Sequence, residues 1–519
     1  MKLYPRALEK RYDRHHPAVL GDRHRFLWAA LLNFLQLQLL FFSIFAYVFG
    51  AIYQQSGHVH NLSILYVDFD GGVIGQAVRD AYHSLRGPSF PTVVERPVSE
   101  YSTPELLRHA VCKKGYWAAL FAAPAASSRL ESALSGASSA SAYNKSEALT
   151  FIWNGARYPT VADSAIAGNM HTLSDAARNA YVVANGSGAL QSLACPSCSS
   201  PAAISVFTDP WHLTSANIQP TTQGSRLIYN TLVILLLLIQ EFFYLGTING
   251  LYVQYRILSR IHPMRIALVR LAISLSYTFV GSVAVTGMIW AFRAGWVVSV
   301  AQFFLTWMLL WLFAHANFLT LDIFTVWLPP PYVPMALITW AMINLASILV
   351  PLELAPGFYS WSYALPAHEA FQVLIDIWSR GCNPQLYHAL PVLFTYEIVG
   401  IAMSILDTWR RCHYAVLAEE VQEKTFQQRV EKRLAELRRT EIPIPVDKEK
   451  GPSQAGTPED EEAAMPGDEK RELQRLRSAE SRATTLGPSF DLAFCSHRNP
   501  KPGDEEISSA SVMGASDRK

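Results

Sequence analysis

Residues 26–53 read FLWAALLNFLQLQLLFFSIFAYVFGAIY, from Phe26 to Tyr53, without one charged side chain. A bilayer core of about 30 Å takes about 20 mostly apolar residues as a helix, which satisfies every backbone polar group within the segment. This stretch is long enough. A basic arm precedes it (Arg6, Lys10, Arg11, Arg14, Arg23 and Arg25), as in a secretory signal, but its apolar part far exceeds the roughly 7–15 residues of a signal core. It is expected to remain as an anchor.

Five further apolar blocks follow at 227–251, 266–291, 297–320, 332–352 and 390–406. One such run would suit a buried core helix; six together predict a polytopic α-helical membrane protein, one span followed by a group of five. Composition agrees, with 50% hydrophobic and 16% charged residues among 519. A net charge of +1 leaves no basic excess for counterion release, so nucleic acid is not an expected partner.

Lys and Arg in short loops mark the cytoplasmic side. The basic arm of residues 1–25 therefore sends the first helix outward, and Arg256, Arg260 and Arg265 mark an inner loop, as Arg410 and Arg411 mark an inner tail. Residues 54–226 then face outside, with both termini cytoplasmic. All three N-x-[ST] sequons, at Asn61, Asn144 and Asn185, fall in that segment, where glycosylation is available. Cys112, Cys195 and Cys198 lie there too, and Cys382 is also expected outside. An oxidising compartment permits disulfides, and these four are the candidates, in local or long-range pairs. A four-cysteine zinc site lacks its second C-x-x-C pair, and no metal is expected.

The outer segment alternates strand-like and helix-like runs, which predicts an α/β domain. Strands are expected at 62–68, 91–96, 115–122, 148–154 and 203–208, with helices at 75–85, 104–113, 125–134 and 159–184. The first strand ends in Asp68-Phe-Asp70-Gly71-Gly72, with Gly75 a turn later. Asp-x-Asp-Gly after a buried strand resembles the opening motif of haloacid-dehalogenase phosphatases, with Asp68 as nucleophile, Asp70 as general acid and Mg²⁺ between carboxylates. The remaining motifs of that family do not follow in order. The expected role is structural: glycines for a tight turn, aspartates bonding its backbone donors.

Glu241, Asn344 and Glu397 fall near the middle of their blocks, and His315 nearer the inner side. Polar groups in hydrocarbon cost about 2.5–3.5 kcal/mol when charged, so these four mark either a polar path for headgroups, drugs or protons, or bonds between helices. Residues 351–387, with Pro351, Glu353, Pro356, Tyr359 and Pro366, suit a re-entrant or interfacial element within a membrane domain at 227–409. A charged helix at 410–440 and a disordered tail at 441–519 complete the chain.

The layout, with Val67-Asp-Phe-Asp70-Gly-Gly-x-Ile74-Gly75 opening the outer domain and Pro351-x-Glu353-x-x-Pro356-x-Phe358-Tyr359 ahead of Leu365-Pro366, resembles the fungal nitrosoguanidine-resistance family over about residues 26–411. That family is similar in turn to the permease half of ABC-2 type exporters. The resemblance implies a plasma-membrane protein linked to drug resistance and lipid distribution. It supplies no catalytic residue, and neither an enzyme activity nor a cofactor is expected. A G-x-x-x-x-G-K-[ST] phosphate loop is absent, so energy for transport must come from a partner protein, an ion gradient or the substrate's own gradient. The expected function is export or transbilayer redistribution of amphipathic compounds or phospholipids, acting on membrane lipids or an amphipathic small molecule, alone, as a homo-oligomer or with an energising partner. The alternatives are a scaffold that recruits partners through the outer domain and tail, and an outer-domain phosphatase.

Overall fold

The computed structural model describes residues 17–193, 200–220, 232–293 and 295–440. In chain order the elements are α1 (Pro17–Ala51), β1 (Ser63–Asp68), α2 (Val73–Leu85), β2 (Thr92–Glu95), α3 (Pro104–Lys113), β3 (Ala118–Ala122), α4 (Ala126–Ser135), α5 (Ala137–Ala142), β4 (Leu149–Trp153) and α6 (Pro159–Val161). They continue with α7 (Asn169–Leu193), α8 (Pro201–Thr208), β5 (Leu213–Asn217), α9 (Val233–Gln254), α10 (Ile257–Arg260), α11 (Pro263–Ala291), α12 (Val300–Trp327), α13 (Val333–Leu349), α14 (Pro366–Trp378) and α15 (Leu386–Thr440). The chain divides into two units. The first holds Met1–Ile234, Arg293–Val298 and Ile338–Tyr387, and the second holds Leu235–Phe292, Ser299–Leu337 and His388–Lys519.

The first unit contains a five-stranded sheet in the order β2-β1-β3-β4-β5. Every neighbouring pair is parallel except β3 with β4. Parallel neighbours need a crossover between them, supplied by α2 between β1 and β2 and by α3 between β2 and β3. Ile64 to Val67 of β1 are all buried, which is why the strand reads as a continuous apolar run instead of alternating. Leu65, Val67, Ala119 and Ile152 pack on Leu107, Ala110 and Val111 of α3 to form the core.

Four strands lie within a few residues of the sequence expectation; the fifth does not. Residues 203–208 form part of helix α8, and the fifth strand is β5. Ser200 caps α8, its Oγ accepting from Ala203 N at 3.1 Å, and Pro201 occupies the first turn, a helix start that overrides the short apolar run behind it. Residues 351–387, grouped by sequence with the membrane helices, belong to the first unit. There α14 is buried along nearly its whole length.

Five described helical segments are long and apolar enough to cross a membrane: Arg23–Ala51, Val233–Gln254, Pro263–Ala291, Val300–Trp327 and Leu386–Lys432. The block expected at 332–352 is helical only over α13, 17 residues, or roughly 25 Å at 1.5 Å per residue. Two other expected ends move. Helix α12 continues past Thr320 to Trp327, and α15 joins the last apolar block and the charged helix into 55 continuous residues.

On α11 the usual polarity is inverted. Leu268, Val269, Ile273, Val280 and Met288 are exposed, while Arg270, Ser274, Thr278, Ser282 and Thr286 are buried. The buried five recur every four residues and so form one ridge inclined to the helix axis. Apolar side chains out and polar side chains in is stable only where the surroundings are hydrocarbon. Exposed Phe26, Phe34 and Phe42 on α1 make the same demand. These helices are compatible with a multi-pass membrane protein.

Candidate functional site

The turn after β1 is closed by its own aspartates. Asp68 Oδ1 accepts from the backbone N–H of Asp70 and Gly71, both at 3.0 Å, and Oδ2 takes a hydrogen bond from Arg79 at 2.8 Å. Arg79 also binds Glu95 of β2 at 2.8 Å, and these carboxylates hold its guanidinium above its ordinary basicity, with the Glu95 hydrogen bond the largest cause. Asp70 accepts from Ser127 N at 2.8 Å and from the Ser127 hydroxyl. Gly71 adopts φ +63°, and a Cβ on Gly75 would overlap the Asp68 carboxylate. Gly75→Ala should therefore expel Asp68 from its bonds and cost about 1–3 kcal/mol. The thermal midpoint of the purified chain should fall, whereas Gly57→Ala, whose Cβ meets nothing within 4 Å, should leave it in place.

A second polar cluster in the first unit joins the turn after β4 to α14 and the segment before it. Arg157 lies over the Trp117 ring at 3.8 Å and faces Glu353 at 3.5 Å. Burial pushes its guanidinium below its ordinary basicity, with Glu353 opposing. Burial raises the neighbouring Tyr158 phenol, whose hydroxyl accepts from Gln372 at 3.2 Å. Tyr158 also packs edge-on against Phe371 at 5.0 Å. Cys382, after α14, forms a disulfide with Cys112 of α3, and its carbonyl accepts from Asn154 at 3.1 Å.

The other residues of the 351–387 motif have local tasks. Glu353 O accepts from Asn61 at 2.9 Å, and Tyr359 donates to Tyr47 O at 2.6 Å. Pro351 and Pro356 accept from the N–H of Leu354 and Tyr359, and Pro366 starts α14. Asn344 of α13 accepts from Ala367 N at 3.2 Å, so it ties α13 to the first turn of α14. Asn144 is exposed and caps a single turn, and Asn185 is partly exposed on α7. Cys195 and Cys198 lie outside the described residues.

The second unit has a polar interior. At one end Asp322 of α12, 1% exposed, receives Arg270 of α11 through two bonds of 2.7 and 3.3 Å and Arg411 of α15 at 2.7 Å. Arg270 also donates to Asn249 of α9 at 2.7 Å, and Arg411 to Thr325 at 2.6 Å. Three helices thus meet at one carboxylate, and Arg270 ties in α9 as a fourth. Asp407 accepts from the Trp327 indole at 2.7 Å, and Arg410 stacks on that ring at 4.6 Å.

Further along the same helices, His315 Nδ1 meets Glu397 Oε1 at 2.6 Å and Nε2 meets Ser274 Oγ at 3.1 Å. Glu241 is 0% exposed, and neither carboxylate oxygen has a hydrogen-bond partner among the described residues. Of the four expected path residues, then, Glu241, His315 and Glu397 lie in the second unit and Asn344 in the first. Sequence reading singled out neither Asp322 nor Asp407. It placed the former in a loop and the latter just beyond the last span. The available signal was one charge near the same end of three apolar blocks: Arg270, Asp322 and Arg411.

Such a chain defines a class: a multi-helix protein of membrane-compatible helices with an α/β domain after its first apolar helix. It belongs to the family described as protein of unknown function (DUF3533), whose model matches residues 33–402, from within α1 into α15. No curated protein and no solved structure matches the chain.

Proposed function

We propose that the protein moves amphipathic molecules, phospholipids or drugs, across a fungal plasma membrane, in the manner expected of a nitrosoguanidine-resistance protein with a permease-like layout. The observation that carries this reading is the buried polar stripe of α11, Arg270, Ser274, Thr278, Ser282 and Thr286. A headgroup crossing hydrocarbon needs hydrogen-bonding groups along its route, while the tails need none. The stripe supplies them at intervals of about 6 Å. Purified protein in liposomes should accelerate the loss of a labelled phospholipid from the inner leaflet. An unaltered rate would favour the scaffold.

In this reading α13 is a sixth, short span, both termini are cytoplasmic, and the first unit's α/β domain faces outside. The Cys112–Cys382 disulfide supports an oxidising side for that domain. Deglycosylation should then increase the protein's gel mobility. Asn144→Gln with Asn185→Gln should remove most of that change, whereas Asn61→Gln should remove little, since Asn61 is already bonded to Glu353 O. A tag after Lys519 should resist protease added to intact cells.

A further inference from the structure

We propose that His315 and Glu397 form a proton-binding site that couples a proton gradient to the transbilayer movement proposed above, on which this inference rests. The pair joins α12 to α15, and Ser274 brings in α11. The side chains of His315 and Glu397 are 1% and 15% exposed, so the imidazole communicates with its surroundings through the carboxylate. Glu397 Oε2 has no hydrogen-bond partner among the described residues.

The connectivity Ser274–His315–Glu397 is also that of a hydrolase relay. Acyl chemistry needs free N–H donors for an oxyanion, and Ser274 lies in the middle of α11, where backbone N–H groups are spent on the helix ladder. Proton binding needs only what is present. With a neutral imidazole, Nδ1–H donates to Glu397 and Nε2 accepts the Ser274 hydroxyl proton. When one proton is taken up, Nε2–H becomes a donor and Ser274 Oγ must accept. Its own hydrogen then goes to Leu271 O, which already lies at 2.9 Å. No heavy atom needs to move, and the pair changes from net −1 to net zero. A serine that can turn its hydrogen to Nε2 or to Leu271 O serves both states.

The surrounding charges are accounted for. From α15 the site faces Glu397. From α11 it faces Ser274, with Arg270 one turn earlier, bound to Asp322 and Asn249. Asp322 itself stands two turns along α12 from His315. From α9, Tyr244 packs against Phe318 at 5.3 Å, and Phe318 stacks on His315 at 6.4 Å. Glu241 stands three residues before Tyr244.

The test uses the full chain in phosphatidylcholine liposomes, following a fluorescent phospholipid with and without an imposed gradient of about two pH units. Infrared difference spectra at about pH 5 and about pH 8, the interval in which histidine ordinarily titrates, follow the pair directly. Wild type should move lipid about tenfold faster with the gradient, within the limit of tenfold per pH unit, and should show an imidazole and carboxylate change that His315→Asn abolishes. Glu397→Gln should lose the gradient response. Ser274→Ala, which keeps the helix, should displace the pH profile of transport toward acid by about one unit, because the hydrogen bond from the charged imidazolium is the stronger of the two that the serine makes, a readout that packing alone would not move. Movement indifferent to the gradient overturns the coupling. If no lipid moves at all, the transport reading fails separately, and the spectra still decide. A titration present in wild type and absent in His315→Asn supports the proton site, and an unchanged wild-type spectrum overturns it.

Discussion

Asp322→Ala should destabilise the second unit by about 3–5 kcal/mol, the cost of removing one partner from a buried charge network. Its carboxylate is the common acceptor for Arg270 and Arg411, so alanine leaves two guanidinia facing one another in a low-dielectric interior. Arg270 would keep its hydrogen bond to Asn249, and Arg411 its hydrogen bond to Thr325. Attachment of four helices would weaken at one point. The expected result is a large fall in the thermal midpoint of the purified chain and poor recovery from membranes. Adding Arg411→Met should restore part of the loss, because the second unpaired charge is removed. A double-mutant cycle isolates that coupling. A change within about 0.5 kcal/mol, typical of a surface substitution, would show that the three side chains are not joined as described.

Cys112→Ser should lower the stability of the first unit by about 2–4 kcal/mol. The bond spans 270 residues of sequence and fastens α3, which covers the sheet, to the segment after α14. Hydrogen bonds reinforce that segment. The Cys382 carbonyl accepts from Asn154 and from Ser379, each at 3.1 Å, and Asn383 donates to Gln372 O at 2.6 Å. These bonds persist in the serine variant, so the fold should survive with a lower midpoint. Cys382→Ser and the double variant should behave like Cys112→Ser. A double variant worse than either single one would mean that each cysteine pairs elsewhere. Non-reducing gels should show the wild type migrating ahead of all three.

What could be read from sequence follows from the range of the interactions involved. Residues 26–53 announce a helix because length and the absence of charge are local properties. The turn at Asp68 was legible in part: Asp68 bonds donors two and three residues away, whereas Asp70, expected to bond the turn's own donors too, accepts from Ser127 instead. Arg79 completes it from 11 residues beyond Asp68 and Ser127 from 57 residues beyond Asp70, and nothing near the turn marks them. Residues 203–208 were misread as a strand because six apolar-rich residues suit either element, and Ser200-Pro201 carried the decisive helix signal.

The polar interior shows the opposite limit. His315 and Glu397 were each conspicuous in an apolar block, yet their pairing at a separation of 82 residues required the packing of α12 on α15. Asp322 was hidden for another reason. A charge ends an apolar window, so the span closed at Thr320, although the helix continues and buries that charge against Arg270 and Arg411. Asp407 was lost in the same way at Leu406. A charge at the edge of a hydropathy block can therefore mark the interior of a bundle as readily as a loop.

If the stripe on α11 is a route for polar groups, as proposed, removing its hydroxyls should slow their passage. The Thr278 hydroxyl donates to Ser274 O at 2.8 Å and the Ser282 hydroxyl to Phe279 O at 2.9 Å, carbonyls the helix ladder already engages. Thr278→Val with Ser282→Ala should thus leave no buried group stranded and keep the wild-type thermal midpoint. If each hydroxyl contributes about 0.6 kcal/mol to a passing headgroup, as such bonds do between helices in membranes, the pair should slow phospholipid movement in liposomes by about eightfold. A folded double variant moving lipid at the wild-type rate would contradict a route along α11.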